Sequence, residues 1–175
     1  QLKHTKAKNK EIIPVKNEKE LLQTFVKRFK ELNPDIIIGW NSDYFDIPYL
    51  YYRIEKVLNK RIASSLSPLG IVKTRKSAKY KDQVTGEIKA RWYKQDMFVD
   101  IVGIESLDYM RVHKKFSFRD EPSYKLDVIG EKYTGLNKIE YEGNLDNLFE
   151  DDIHKFIQYN FRDVEILKLL DEKLD

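Results

Sequence analysis

Two acidic side chains stand out in this sequence of 175 residues because of what surrounds them. Asp46 follows the run Asp35-Ile36-Ile37-Ile38-Gly39-Trp40-Asn41, where residues 35–40 read as a buried strand and Gly39 and Asn41 permit a tight exit. Ile47, Leu50, Tyr51, Ile54, Val57 and Leu58 then recur at helical spacing, so Asp46 is presented where a strand-turn-helix unit opens its helix. Asp163 comes four residues after Tyr159 in Gln158-Tyr159-Asn160-Phe161-Arg162-Asp163-Val164-Glu165, a spacing that sets phenol and carboxylate on one helix face. If Asp46 and Asp163 meet at the end of a sheet, they can share Mg²⁺ or Mn²⁺, hard cations that take oxygen ligands. Two such ions about 4 Å apart stabilise both the attacking water and the leaving 3′ oxygen of a phosphodiester.

The elements that must position these residues are legible in outline. Residues 17–32 predict a helix: Asn17 is the N-cap, Glu20 completes a capping box, and Leu21, Leu22, Phe25, Val26, Phe29 and Leu32 form one apolar stripe closed by Asn33-Pro34. The strand at 35–40 and a helix at 46–59 follow, then an irregular link through Ser64, Ser67, Pro68 and Gly70. Residues 71–94 alternate around Thr85-Gly86, which predicts an exposed basic β-hairpin, with an unstructured loop as the alternative. Met97–Ile104 read as a second apolar strand, and Ser106–Lys115 and Ser123–Tyr133 as short helices. Asp151–Leu174 predict a long helix with Ile153, Phe156, Ile157, Val164, Leu167 and Leu170 inward and an acidic first turn that suits the helix dipole. No repeat or linker divides the chain, so the expectation is one domain over residues 1–175.

Composition narrows the class. The absence of cysteine excludes disulfides and thiolate zinc sites, and no apolar run approaches the ~20 residues needed to span a bilayer. A soluble intracellular, cytoplasmic protein with no membrane partner is the expectation. Lys and Arg total 32 against 29 Asp and Glu, but the charge is unevenly spread. From Arg53 to Lys94 basic residues predominate, Lys73, Arg75 and Lys76 among them, while acids dominate from Glu140 onward. That polarity suits a phosphate backbone held by one part and metal ions by another, although ordinary solvated surface remains the plain alternative.

Asn41, Phe45, Asp46, Pro48 and Tyr49 fill the pattern Asn, three residues, Phe-Asp, then Pro-Tyr, which resembles the second exonuclease motif of family B DNA polymerases. Tyr159 and Asp163 match that family's third motif. Between them, Leu107-Asp108-Tyr109, Lys114-Lys115-Phe116-Ser117-Phe118 and Pro122-Ser123-Tyr124-Lys125-Leu126 resemble the connecting region in replicative polymerases of tailed bacteriophages. The resemblance runs from about Asn17 to the end of the sequence. It implies a ribonuclease H-like α/β domain with a central mixed sheet flanked by helices, and removal of nucleotides from the 3′ end of single-stranded or frayed DNA during proofreading. It implies catalytic roles for Asp46, Tyr159, Asp163 and Lys138, the lysine matching a phosphate contact and the tyrosine orienting water or the scissile phosphate. By the same resemblance Asp46 and Asp163 hold the metal, Asn41 and Phe45 hold the single-stranded 3′ end, and the basic hairpin with Lys73, Arg75 and Lys76 helps separate primer from template. The implied partners are primer-template DNA and a polymerase domain on the same or a split polypeptide.

Taken singly, each of these residues has a simpler reading. Asp46 can cap the helix that follows it, Asp163 can be a solvated helix carboxylate, Tyr159 a core aromatic and Lys138 a surface charge. Asp100, Asp108 and Asp127 are expected in capping or turn bonding, and His4, His113 and His154 lack ligand-like spacing. The family's first motif, Asp-x-Glu on an opening strand, has no match before Asn17, and Glu11–Val15 read as the remnant of a preceding strand. A fragment, a split polymerase and a degenerate binding domain all account for that. The expectation is a chain with half the carboxylate set, weak or inactive by itself; the alternative function is a catalytically silent module for nucleic-acid binding or polymerase assembly.

Overall fold

The first long helix forms where its caps say it should. In the computed structural model, which describes residues 5–7, 10–76, 80–81, 88–89, 97–117 and 120–174, Asn17 Oδ1 accepts the Glu20 N–H at 2.9 Å. The Glu20 carboxylate reaches back to the Lys16 N–H at 2.8 Å, one residue before the partner a capping box would choose. Contacts divide the chain into two compact units, Gln1–Ile37 with Ser42–Leu107, and Ile38–Asn41 with Asp108–Asp175.

The first unit opens with β1 (Thr5–Ala7) and β2 (Lys10–Ile12), an antiparallel pair, followed by α1 (Glu18–Leu32) and β3 (Ile36–Gly39). After a turn come α2 (Asp46–Val57), α3 (Lys60–Ser64), β4 (Val72–Lys76), β5 (Tyr80–Lys81), β6 (Ile88–Lys89), β7 (Met97–Ile101) and β8 (Glu105–Asp108). Leu22 and Val26 of α1, Ile47, Tyr51 and Ile54 of α2, Ala63 and Leu66, Val99 and Ile101 of β7, and Ile104 make its core. Leu21 and Leu32 were expected in the apolar stripe of α1, but they are 50% and 78% exposed. The buried stripe is narrower because only Leu22 and Val26, one helical turn apart, face the centre of the core.

Antiparallel pairing of β4 with β7, Val72 opposite Ile101 through Lys76 opposite Met97, brackets the shorter β5–β6 pair. The β4–β7 pairing runs to Ile101, beyond the expected hairpin at 71–94; the Thr85-Gly86 turn of that expectation and the side chains of Arg75 and Lys76 lie outside the described residues. Residues 106–108, expected to open a helix, belong with Glu105 to β8, which pairs with β3 instead. The cause is a reversal at Gly103, where φ is +94° and a Cβ would come within 2.9 Å of the Pro68 ring. It returns the chain so that the Glu105 N–H reaches the Asp35 carbonyl at 2.9 Å. Strands pair two by two among the described residues, where one central mixed sheet was expected. Ile36 and Ile38, read as buried, are accordingly 55% and 38% exposed.

The second unit is helical: α4 (Tyr109–Phe116), α5 (Leu126–Thr134), α6 (Leu145–Asp151) and α7 (Ile153–Leu174). Leu126 and Ile129 of α5 meet Ile166 and Leu170 of α7, with Trp40, Tyr133, Leu136 and Leu167 packed around them. Val164, expected inward, is 64% exposed, and Ile166 takes the buried place. Gly130 lets α5 and α7 approach, since a Cβ there would lie 2.7 Å from Ile166 Cγ2. Two bonds hold the last turn of α7: the Tyr109 hydroxyl donates to Asp171, and Lys173 Nζ donates to the Tyr133 carbonyl. His113 is a core histidine, buried among the rings of Trp40, Tyr124 and Tyr133. Beside it, the Lys132 and Tyr133 hydrogen bonds hold the Glu121 carboxyl below the usual carboxylate range. No described helix is long and apolar enough to cross a membrane.

Candidate active site

Helical spacing on α7 brings Tyr159 and Asp163 to one face, and the loop before α6 supplies their cation. Lys138 Nζ donates to the Tyr159 hydroxyl and to Asp163 Oδ2, each at 3.1 Å. The same ammonium lies 5.3 Å from the centroid of the Tyr159 ring, close enough for a cation–π contribution. Tyr141 meets that ring edge to face, centroids 5.3 Å apart and planes at 90°. Burial works against the Lys138 charge, yet the hydrogen bond to Tyr159 and the charge and hydrogen bond of Asp163 outweigh it, so its pKa stands above that of a free lysine. Three of the expected site residues therefore meet in the second unit. Asp163 Oδ1, the oxygen facing away from Lys138, is buried and has no hydrogen-bond partner among the described residues.

Asn41 also belongs to the second unit, at the end of the segment Ile38–Asn41. Its φ of +62° is left-handed, a region most side chains avoid and asparagine tolerates. The Asn41 N–H donates to Asp108 Oδ1 at 2.9 Å, and the Trp40 indole N–H donates to the Tyr124 carbonyl at 2.9 Å.

Phe45 and Asp46 belong to the first unit. Phe45 takes the N-cap position of α2 without a side-chain cap bond, and Asp46 is the first helical residue. The exposed rings of Phe45 and Tyr49 lie parallel, 7° between planes and 6.2 Å between centroids, one helical turn apart on α2. Ser106 Oγ donates to Asp43 Oδ1 at 2.7 Å, and Tyr44 packs edge-on against Phe98 at 5.0 Å, which hold the turn before the helix. Lys73 is exposed on β4 opposite Asp100.

A hard divalent cation fits the donor chemistry of Asp163, whose buried Oδ1 is the kind of atom such an ion would use. The described residues do not gather three or more His, Cys, Asp or Glu side chains into a metal-binding group, so the full ligand set is not assembled among them. Sequence reasoning gave Asp108 a capping role, which it has: Oδ1 accepts the Met110 N–H at 3.1 Å. Its bond to Asn41 was missed, as was the contact of Tyr141 with Tyr159. Nothing in the local pattern of either residue announces a partner so distant in sequence.

A family model described as DNA polymerase family B, exonuclease domain, matches residues 1–129. The chain is similar to the DNA-directed DNA polymerase of Escherichia phage RB69, 35% identical over 161 residues, which are 92% of this chain and 16% of that protein. To the DNA-directed DNA polymerase of Enterobacteria phage T4 it is 29% identical over 160 residues, 91% of this chain and 16% of the relative. A DNA polymerase of Pyrococcus glycovorans is 32% identical over 124 residues, 71% of this chain and 13% of that protein. The chain thus spans about a sixth of the length of the two phage relatives.

Proposed function

The chain belongs to the exonuclease-domain family of the family B DNA polymerases, and from that premise we propose that it removes 3′-terminal nucleotides from single-stranded or frayed DNA as the editing part of such a polymerase. One observation carries the reading: Lys138 is bonded at once to Tyr159 and Asp163, and Asp163 Oδ1 is buried with no hydrogen-bond partner among the described residues. An ammonium so placed is suited to bind a phosphate oxygen, and the Tyr159 hydroxyl beside it to orient water or the scissile group. Phe45, with Asn41, takes the unpaired 3′ end by stacking and hydrogen bonding. In this reading the domain is ribonuclease H-like, and Asp46 and Asp163 are its metal ligands. They would hold Mg²⁺ or Mn²⁺, which when bound supplies a nucleophilic water and neutralises charge on the phosphate. The Asp-x-Glu pair expected on an opening strand has no match before Asn17, so the 175 residues alone hydrolyse DNA weakly or not at all.

Electron paramagnetic resonance of Mn²⁺ titrated into the purified chain tests this. Binding should weaken at least tenfold with Asp163→Asn and again with Asp46→Asn. The second reading, a silent nucleic-acid-binding module, draws on the basic residues between Arg53 and Lys94. It predicts Mn²⁺ binding indifferent to both substitutions beside intact, salt-sensitive DNA affinity. Rapid metal-dependent digestion of single-stranded DNA by the chain alone, abolished by Asp163→Ala, would contradict the expected weakness.

A further inference from the structure

Asp108 closes β8 and is 2% exposed, an uncommon place for a carboxylate whose only evident duty is to start a short helix. N-caps are ordinarily solvated, and serine, threonine or asparagine serve as well as aspartate. Asp108 Oδ1 does two things at once: it accepts the Met110 N–H at the start of α4 and the N–H of Asn41, 67 positions earlier in the chain. Asn41 is one of two non-glycine residues with positive φ among those described, and such a conformation persists where the surroundings determine it. The residue before it is fixed separately, through the Trp40 indole on the Tyr124 carbonyl. Trp40 thus anchors the segment by its side chain, and Asp108 sets the orientation of the Asn41 main chain.

We propose that Asp108 is a positioning residue of the nucleic-acid site, its carboxylate holding the left-handed turn at Asn41 and thereby the direction from which the Asn41 side chain meets the 3′-terminal nucleotide. The proposal rests on the reading of Asn41 as a DNA contact. It requires only Oδ1 as an acceptor; an amide oxygen supplies that acceptor too, though its NH2 takes the buried place of Oδ2, which has no hydrogen-bond partner among the described residues, whereas a hydroxyl on a shorter stem caps α4 and falls short of Asn41.

The test uses the whole chain in EDTA, with a 3′-unblocked fluorescein-labelled oligothymidylate read by anisotropy and Asn41 amide exchange read by nuclear magnetic resonance. Asp108→Ser should keep the helix content, quicken Asn41 amide exchange at least tenfold and weaken oligonucleotide binding by the same factor as Asn41→Gly, which retains the turn but lacks the side chain. Asp108→Asn should match the unaltered chain in both readouts. In the double variant Asp108→Ser/Asn41→Gly the losses should not multiply, because both act through one side chain. Multiplying losses, or unchanged Asn41 exchange in Asp108→Ser, would reduce Asp108 to a helix cap and overturn the proposal. Unaltered binding by Asn41→Gly would instead remove the DNA role of Asn41, and the proposal with it, a result recognisable because no Asp108 variant is involved.

Discussion

Lys138 answers to two side chains, so its removal is felt twice. Lys138→Met leaves the Tyr159 hydroxyl without its donor and Asp163 without its counter-charge; with both ionic side chains about a quarter exposed, the expected loss is on the order of 1 kcal/mol. The pH dependence has a definite sign. The folded chain holds the Lys138 proton more tightly than the unfolded chain, so this contribution is complete below the ordinary lysine value of about 10.4 and disappears as pH rises through the higher folded value. Urea unfolding should therefore show a constant gap between the two proteins from about pH 6 to about pH 9 and a narrowing gap above about pH 10.4. A gap that changes near neutrality would mean that another group carries the effect. For Phe45, half-exposed beside Tyr49, substitution by alanine should weaken oligonucleotide binding about tenfold in an anisotropy titration, the value of one lost stacking contact of ~1–3 kcal/mol. Tyr159 and Asp163 were legible as a pair because their separation alone fixes the face they share. Lys138 was reachable only by resemblance, because its loop runs between Gly135 and Gly143, both at positive φ, and no periodicity says where such a loop points.

Helix α1 was readable to within a residue because its caps and apolar positions lie in one stretch of chain. The inward face of α7 was misread at Val164: a stripe that is only partly buried, with Ile166 and Leu170 doing the packing, does not reveal its centre from composition. Strand β8 escaped because its pairing depends on β3 and on the reversal at Gly103, both decided outside its own residues. Gly130 is the most exacting position between α5 and α7. Gly130→Ala gains up to ~1 kcal/mol of helix propensity but drives a methyl against Ile166 and the Leu136 carbonyl, an overpacking cost of ~1–3 kcal/mol. A lower melting temperature by calorimetry is expected. An increase would show that Ile166 can change rotamer without cost.

For the molecule as a whole, two of the three boundaries between the units fall inside β3 and inside β8, and the third follows Asn41 in the turn before α2. Composition does not change within a strand, which is why no linker could be read there. Charge works at this scale too: a net formal charge of +3 hides a basic stretch and an acidic end, and it is the basic stretch that should govern contact with a phosphate backbone. If about four phosphates are neutralised, affinity for an oligothymidylate should fall on the order of 50-fold as salt rises from about 50 to about 200 mM; a salt-independent affinity would exclude backbone contacts as its source. The final turn of α7, gripped by Tyr109 from α4 and by Tyr133 from α5, has a consequence of its own. Deleting residues 171–175 unfastens three helices together, so deuterium uptake should accelerate along α4 and α5 as well as at the shortened tail, whereas fraying confined to the tail would mean that the grip restrains nothing beyond itself.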